Sequence, residues 1–486
     1  MNLSKSKYCK CVQCKKMLWL ETFKKEVAAP IDNETVLDNG TSVGELARNL
    51  FKDHITIPFD LDLSKMITAT EKALNNESIN ICEASFSYNS NFCSVDILSK
   101  KGSTYEIYEV KSSTEVSDIY IDDAGYQYYV LTKLGYNVEK VYIVHINNKY
   151  VRHGELELDK LFTKEDVTVL VHERLEEIDK NIKEINEYMK NTSEPAEDLD
   201  TKCFKPYPCP FFKYCSRFLP DNNVFSLASM KISDKIKLYK SNIISYEDLL
   251  KSNILYKYKE QIEFELYNKP DYIDEEKIKE LLKTYTYPLY FLDFESFQEP
   301  IPMYDNVRPY MQIPFQYSLH YQESENSPLM HKEFLSVPGI DPRRSLAESL
   351  VSDIPKDTCV LAYNMSFEKT RIKELAEIYP DLREHLLNIY SNIKDLMIPF
   401  QNRWYYSKDM HGSYSIKCVL PALYPNDPEL DYHLLPVVHN GKEASATFLD
   451  MKNMSPDEQS SVREGLLKYC KLDTLAMVKI YKKLKK

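Results

Sequence analysis

Four cysteines constrain the fold of this chain more than any other feature of its sequence. Cys14 lies near the start, whereas Cys203, Cys209 and Cys215 follow one another in a single late segment. Eleven cysteines in 486 residues are too sparse for a secreted disulfide scaffold, so we expect reduced thiols that serve a metal. Four thiolates on one cofactor would tie the start of the chain to residues 203–215 and close the intervening segment into one unit.

The length and the charge of the chain narrow the class of protein. A chain of 486 residues predicts two or three domains, and no apolar run approaches the ~20 residues that span a membrane. The start of the chain lacks an apolar signal-peptide region, so we expect a cytoplasmic protein without a membrane partner. The net charge of −12 argues against a general nucleic-acid coat but agrees with carboxylates that hold cations.

Basic residues cluster at both ends of the chain, where they either contact phosphates or form solvated ends. These lysines are Lys5, Lys7, Lys10, Lys15, Lys16, Lys24 and Lys25 at the start, and Lys482, Lys483, Lys485 and Lys486 at the end.

Apolar patterning predicts an α/β unit over residues 1–220. Strand patterns at Tyr105–Lys111 and Val141–Ile146 flank a helical stretch at 121–134. Apolar residues at spacings of three and four over 171–189 predict a further helix that packs on this unit.

The remainder of the chain divides at about residue 285. Residues 221–285 are helical and charged, which is typical of a linker or a small helical domain. Residues 286–486 have the pattern of a second α/β unit that opens with a strand at Pro288–Glu295. Its last helix begins at Ser455-Pro-Asp-Glu458, where Ser as N-cap and Glu three residues later form a capping box.

Carboxylates and a lysine on neighbouring elements form the first candidate site. Glu109 and Lys111 lie two apart on a strand and therefore share one face, and Asp96 lies on the preceding strand. A carboxylate that holds a divalent cation, beside a lysine that stabilises developing charge, suits phosphodiester hydrolysis. We therefore predict Asp96 and Glu109 as metal ligands and Lys111 as a catalytic residue.

The order Asp96, Glu109-Val-Lys111, then Gln127 on the next helix resembles the RecB-like branch of the PD-(D/E)XK nucleases. This resemblance implies a restriction-endonuclease-like core, with Gln127 as the helix glutamine of the catalytic set. Iron–sulfur members of that branch include the CRISPR-adaptation exonucleases and the AddB-type nucleases. They place one cysteine before the core and three after it. The resemblance thus implies a 4Fe-4S cluster on Cys14, Cys203, Cys209 and Cys215.

The first half departs from the family pattern at three places. Gly44-Glu45 stands where the family often has a metal-binding His, so either Glu45 replaces that ligand or the ligand is absent. Lys15 stands where the family usually has a Pro directly after the first cysteine. The late cysteines are separated by five and five residues, whereas the commoner spacing in the family is two and five. Zinc is the alternative metal, because Cys11 and Cys14 have Cys-x2-Cys spacing and Cys9 is close in sequence.

Separated carboxylates in the second half form another candidate metal site. Asp293 and Glu295 lie two apart on the opening strand and project to one face. Tyr469 and Asp473 lie four apart on the last helix and therefore share a face. With Glu368 between them in sequence, these acids suit two divalent cations about 4 Å apart, and the Tyr469 hydroxyl is placed to orient a water.

This arrangement resembles the DnaQ-like, or DEDD, 3′→5′ exonucleases of the tyrosine subtype. The resemblance implies a ribonuclease H-like fold, with Asp293, Glu295 and Asp473 as metal ligands. Glu368 stands where that family usually has Asp, and Asp395 is the alternative middle acid.

The whole chain resembles a bacterial family that joins a RecB-like iron–sulfur nuclease domain to a DnaQ-like exonuclease domain. We therefore expect an enzyme with two phosphodiester-hydrolysing sites that uses Mg²⁺ or Mn²⁺ on DNA, in repair, recombination or phage defence. A helicase or a defence-system protein is the expected partner. One alternative is an RNA 3′→5′ exonuclease. The other is an exonuclease whose N-terminal iron–sulfur domain only binds nucleic acid.

Overall fold

A computed structural model describes residues 2–30, 34–75, 78–252 and 256–486. The chain forms two compact units. Unit 1 runs from the start of the chain to Phe218 and includes Glu299–Met311, and unit 2 comprises Leu219–Gln298 and Gln312–Lys486. Both units mix helices with a sheet, so the prediction of an α/β fold is confirmed. Within the described ranges, no helix is long and apolar enough to cross a bilayer.

Unit 1 contains seven strands and eight α-helices within the described residues. They are β1 (Leu3–Ser4), α1 (Lys5–Gln13), α2 (Lys15–Phe23), α3 (Glu34–Arg48), β2 (His54–Thr56), α4 (Leu63–Ala73), β3 (Ser78–Tyr88), β4 (Asn91–Lys101), β5 (Thr104–Lys111), α5 (Asp118–Lys133), β6 (Val138–Ile146), α6 (Leu158–Leu161), β7 (Phe162–Asp166), α7 (Thr168–Tyr188) and α8 (Phe212–Cys215).

The sheet of unit 1 has the order β2-β3-β4-β5-β6-β7, and β1 pairs with β4. Strands β3, β4 and β5 are antiparallel, whereas β5 and β6 are parallel neighbours joined through α5. This confirms the predicted strand–helix–strand order around Glu109. The apolar stripe of α7 is buried as expected, and Gly125 on α5 allows a close approach. A Cβ added at Gly125 would lie 2.8 Å from Cδ1 of Ile178.

Unit 2 contains the remaining elements. They are α9 (Ile232–Lys240), α10 (Tyr246–Lys251), α11 (Lys259–Leu266), β8 (Tyr272–Ile273), α12 (Glu275–Leu282), β9 (Leu289–Phe297), β10 (Ile313–Gln322), β11 (Met330–Leu335), α13 (Arg343–Asp353), β12 (Cys359–Ala362), α14 (Ser366–Ile378), α15 (Arg383–Asn392), β13 (Ile393–Asp395), α16 (Ile398–Gln401), β14 (Tyr405–Tyr406), α17 (Ile416–Leu423), α18 (Gly441–Asp450) and α19 (Pro456–Leu484).

The main sheet of unit 2 has the order β11-β10-β9-β12-β13. Strand β10 is antiparallel to both neighbours, whereas β9, β12 and β13 run parallel. The central strand β9 is buried on both faces. Its residues Leu292 and Phe294 pack into one core cluster, and Phe291 packs into the other. Because side chains alternate, Asp293 and Glu295 continue the face of Phe291. The capping box that starts α19 is present as predicted.

Two segments belong to units other than those that the sequence indicated. Residues 221–285, expected as a linker or a small helical domain, group with unit 2 and form a small apolar core around Tyr246 and Leu249. Segment Glu299–Met311 lies in sequence between β9 and β10, yet it groups with unit 1. There Arg152 donates hydrogen bonds to the backbone carbonyls of Pro302 and Met303 at 3.0 Å. No local sequence pattern predicts this interaction.

Candidate functional site

Three carboxylates of unit 2 converge on one point. Asp293 and Glu295 come from the buried strand β9, and Asp473 comes from α19, which packs against β9. One oxygen atom from each lies within 4.8 Å of the others. Within the described part of the chain, no other group of three His, Cys, Asp or Glu side chains meets this distance. We call these residues the unit 2 carboxylate group.

Burial makes this carboxylate group electrostatically costly without a cation. Glu295 is 9% exposed and Asp473 is 8% exposed. Burial, followed by mutual repulsion, raises the pKa of both Asp293 and Glu295 well above the usual range. Burial likewise raises the pKa of Asp473 to about 7. A divalent cation would remove this repulsion, so the donor set fits such an ion.

The two candidates for the middle acid occupy different environments. Asp395, at the end of β13, accepts hydrogen bonds from the backbone N–H groups of Asn364, Met365 and Met397 at 2.9–3.2 Å. Its carboxylate therefore holds the loop that precedes α14. Glu368, on the first turn of α14, is 3% exposed, and its Oε2 has no hydrogen-bond partner among the described residues.

Glu368 does not belong to the unit 2 carboxylate group, but its charge affects the pKa of residues in that group. Burial raises the pKa of Glu368 to about 8. Its charge also contributes to the raised pKa values of Asp293 and Glu295. The geometry therefore favours Glu368 over Asp395 as the middle acid, since Asp395 is already occupied by backbone donors.

A tyrosine that the sequence did not single out contacts the carboxylate group. The Tyr432 hydroxyl donates to Oδ1 of Asp473 at 2.6 Å. The predicted Tyr469 is 3% exposed, and its ring centre lies 5.9 Å from that of Tyr432. Tyr432 belongs to a short turn far from the recognised motifs, so no spacing signal pointed to it.

A cleft of about 850 Å³ opens beside Tyr432. Its lining includes the exposed Lys417, whose positive charge offsets part of the rise in the pKa of Glu295 and Asp473. His433, His439 and Asn440 also line it, together with the carboxylates Asp427, Asp431 and Glu443. Glu443 is hydrogen-bonded to His439 Nδ1 and to Asn440 Nδ2. The cleft thus places one lysine ammonium next to the unit 2 carboxylate group, and metal ions held by that group would supply the remaining positive charge that a phosphate ester needs.

The predicted residues of the first site also meet, within unit 1. Glu109 is 1% exposed and accepts from Lys111 Nζ at 2.6 Å and from Gln127 Nε2 at 2.7 Å. Asp96 accepts from the backbone N–H of Val110 at 2.7 Å. Burial, and then the charge of Glu109, raises the pKa of Asp96 to about 7.

Two further charged residues complete this centre, and the sequence reasoning missed both. Lys5 Nζ lies 2.8 Å from Oε1 of Glu109, and Asp123 Oδ2 lies 2.5 Å from Lys111 Nζ. Burial alone would raise the pKa of Glu109, but the two ammonium groups outweigh it and hold that pKa below its usual range. We call Lys5, Asp96, Glu109, Lys111 and Asp123 the unit 1 ion-pair cluster.

Glu45, the candidate replacement for the family's metal-binding His, does not have the environment of a metal ligand. Glu45 lies on α3 with an exposed side chain, in contrast to the buried Glu109. The unit 1 ion-pair cluster therefore has Lys5, and not Glu45, as its additional member.

The four predicted cofactor cysteines line one small cavity. Burial raises the pKa of Cys209 to about 12, and the neighbouring thiols of Cys14, Cys203 and Cys215 contribute to this shift. Gln13 ties the two ends together, because its amide donates to backbone carbonyls of residues 202 and 207 at 2.7 and 2.8 Å. We call this set of four thiols the cysteine cavity.

The rival cysteines lie elsewhere. Cys11 is 2% exposed and packs in the main apolar core of unit 1, and Cys9 borders that same core. Neither lines the cysteine cavity. The Cys-x2-Cys pair of Cys11 and Cys14 is thus split between two environments, because Cys11 lies within α1 whereas Cys14 lies beyond its end, in extended backbone between α1 and α2.

Comparison with known proteins finds similarity over part of the chain. Residues 290–415 match a family described as a domain of unknown function (DUF2779). The chain is 26% identical over 205 residues to the uncharacterized protein MG366 homolog of Mycoplasma pneumoniae, which is 39% of this chain and 31% of that protein. It is 29% identical over 199 residues to the uncharacterized protein UU173 of Ureaplasma parvum, which is 38% of this chain and 28% of that protein. The matched region spans less than a third of the length of these relatives.

Proposed function

We propose that this protein is a metal-dependent nuclease whose hydrolytic centre is the unit 2 carboxylate group. The observation that carries the proposal is the convergence of Asp293, Glu295 and Asp473 within 4.8 Å. Carboxylate oxygens are the ligands that Mg²⁺ and Mn²⁺ prefer. When bound, such ions supply an activated water and stabilise charge on the leaving oxygen.

The remaining residues of the site fit supporting roles. Tyr432 positions Asp473 through its hydrogen bond, in the way that outer partners orient metal ligands. Lys417, exposed in the adjoining cleft, is placed to contact a substrate phosphate. Glu368 supplies a further buried acid within electrostatic reach of Asp293. Tyr469 packs beside Tyr432, and in this proposal it keeps the role of orienting the water.

The strand order of unit 2 supports the ribonuclease H-like fold that the resemblance implies. In that fold a five-stranded mixed sheet carries one antiparallel strand, and acids gather at the central strand. Here β10 is the antiparallel strand, and β9 at the centre carries Asp293 and Glu295. The proposed reaction is therefore 3′→5′ removal of nucleotides, as in the DnaQ-like exonucleases.

The proposed substrate is DNA, and RNA is the competing polymer. The carboxylate group acts on the phosphodiester that both polymers share, so the choice between them is an outcome of the experiment. End-labelled single- and double-stranded DNA and RNA would be incubated with Mg²⁺ or Mn²⁺ and wild-type protein. We expect stepwise shortening from the 3′ end.

Two variants make this experiment decisive. Asp293→Asn removes one ligand and should abolish digestion. Glu384→Gln changes an exposed carboxylate of unit 2, whose side chain is 89% exposed, and should leave digestion unchanged. Absence of digestion of every polymer by folded wild-type protein, or equal activity in Asp293→Asn, would refute the proposal.

We assign a 4Fe-4S cluster to the cysteine cavity as part of this proposal. Four thiolates are the usual ligands of such clusters. A single zinc ion, with bonds of about 2.3 Å, would hold its four sulfurs roughly 3.8 Å apart. Across the residues that the structure describes, no three cysteine sulfurs lie within 4.8 Å of one another. The wider spacing favours a cluster, whose role here would be to tie α1 and α2 to residues 203–215.

A further inference from the structure

Lys5 occupies the place in the unit 1 ion-pair cluster that a cation would take. Its Nζ lies 2.8 Å from Glu109 Oε1 and 3.5 Å from Asp123 Oδ1. Lys111 Nζ contacts the same Glu109 oxygen at 2.6 Å, and Gln127 donates to the other one at 2.7 Å. Glu109 therefore accepts three hydrogen bonds, which leaves at most one of its roughly four lone-pair sites for a metal ion.

The acids of this cluster also lack the spacing of a cation site. Asp96 accepts a backbone hydrogen bond from Val110, which engages one of its oxygens. Asp96, Glu109 and Asp123 do not bring three ligand atoms within 4.8 Å, whereas the unit 2 carboxylate group does so elsewhere in the described chain. Asp96, Glu109 and Asp123 therefore do not form a divalent-cation site while Lys5 is in place.

Lys5 is held in position by the fold of unit 1. The preceding strand β1 pairs with β4, the strand that carries Asp96. The Tyr126 hydroxyl donates to the carbonyl of Leu3 at 2.6 Å, and the Tyr126 ring stacks on Tyr8 at 4.7 Å. The backbone is thus anchored on both sides of Lys5. Because this backbone is already fixed, the pairing of the ammonium with Glu109 costs only side-chain conformational entropy.

The charge balance supports a permanent ion pair. Two ammonium groups, of Lys5 and Lys111, face three carboxyl groups in a buried centre. Without Lys5, one ammonium would face three carboxyl groups, and a divalent cation would then balance the remaining charge. Removing one partner of a buried pair leaves charge uncompensated, which creates a demand for a replacement cation.

We infer that the Lys5 ammonium replaces the divalent cation of the unit 1 centre, so that unit 1 binds no catalytic metal and hydrolysis is confined to unit 2. Lys5 thus prevents the unit 1 centre from binding the metal ion that a second hydrolytic site would need. Its removal should create a metal site there. The confinement of hydrolysis to unit 2 rests on the proposed function, whereas metal binding in unit 1 is measured separately from hydrolysis.

The test measures Mn²⁺ binding by titration, with free Mn²⁺ followed by electron paramagnetic resonance. The full chain would carry Asp293→Asn and Asp473→Asn to remove the unit 2 carboxylate group. In this background we expect no bound Mn²⁺ that depends on Glu109. Adding Lys5→Met should raise the bound Mn²⁺ from none to one per chain, and adding Glu109→Gln to that variant should abolish the gain.

Two controls separate the role of Lys5 from general effects of charge. Lys5→Arg keeps the cation and should bind no Mn²⁺. Lys10→Met removes another lysine of α1, one that pairs with Glu21 at the surface, and should also bind none.

Two results would overturn the inference. One is a background protein that already binds one Mn²⁺ in a Glu109-dependent way, a comparison that decides the question even if Lys5→Met does not fold. The other is a folded Lys5→Met variant, judged by thermal unfolding, that binds none.

Discussion

The hydroxyl of Tyr432 donates a 2.6 Å hydrogen bond to Oδ1 of Asp473, across 41 residues of sequence. This bond joins a turn that lines the cleft to a predicted metal ligand on α19. It also lowers the pKa of Asp473, against the larger effect of burial. The partner of a ligand carboxylate thus comes from a segment that contains none of the recognised motifs.

We expect Tyr432→Phe to weaken metal-dependent hydrolysis about 10–100-fold, because an outer hydrogen bond that orients a ligand would be lost. The Mn²⁺ concentration for half-maximal activity should rise with it. Tyr317→Phe is the matched control, since the hydroxyl of Tyr317 likewise donates to a carboxylate, Asp353, at 2.7 Å. Equal effects of the two substitutions on the Mn²⁺ requirement would contradict the assigned role.

Substitutions of the two candidate middle acids, Glu368 and Asp395, should differ in their effects on stability and on activity. Glu368→Gln should reduce hydrolysis about 10–100-fold, because Gln cannot ionise when metal ions bind. It should not reduce stability, because the Oε2 of Glu368 has no partner among the described residues. Asp395→Asn should lower the free energy of unfolding by about 2 kcal/mol, because three backbone donors would lose a charged acceptor. Denaturant unfolding and digestion assays on both variants measure these quantities. A destabilised Glu368→Gln beside a stable but inactive Asp395→Asn would reverse the assignment.

Stabilisation by metal should grow with pH. The carboxyl groups of the site keep their protons in the folded apoprotein up to about pH 7 for Asp473 and about pH 8 for Glu368, whereas an unfolded chain releases them near pH 4. The folded apoprotein then binds more protons than the unfolded chain, so its stability falls as pH rises through this window.

Mn²⁺ needs the ionised carboxylates, and it should therefore raise the unfolding temperature more at pH 8 than at pH 6. Thermal unfolding with and without Mn²⁺ checks this, and a larger gain at pH 6 would be inconsistent with it. Asp473→Asn should reduce the difference.

Loss of one cavity cysteine should affect unit 1 alone. Cys14→Ala should remove iron and visible absorbance and lower the unfolding temperature of unit 1, because the cluster joins the start of the chain to residues 203–215. Hydrolysis that depends on Asp293 should persist. Iron and zinc analysis of anaerobically purified protein measures the loss, with Cys418→Ser as a control that keeps its iron. Colourless wild-type protein that contains zinc and no iron would exclude the cluster.

Local sequence patterns were sufficient for the elements that carry the sites. The alternation around Glu109 and around Asp293 predicted β5 and β9, the apolar spacing over 171–189 predicted α7, and Ser455 with Glu458 predicted the start of α19. These features depend on neighbours within a few residues, so periodicity and capping chemistry determine them. The pairing of Asp293 with Glu295 followed for the same reason, since residues two apart on a strand share a face.

Only the tertiary structure decided which distant side chains meet. Lys5 and Glu109 are 104 residues apart, and Tyr432 approaches Asp473 from outside every motif. The assignment of Glu299–Met311 to unit 1 also had no local signal. Such contacts depend on how whole elements pack and on which buried charges find partners. Periodicity along the chain carries no information about the packing of distant elements or about the partners of buried charges. The sequence by itself therefore identified the acids, and only the folded units decided which side chains pair with them.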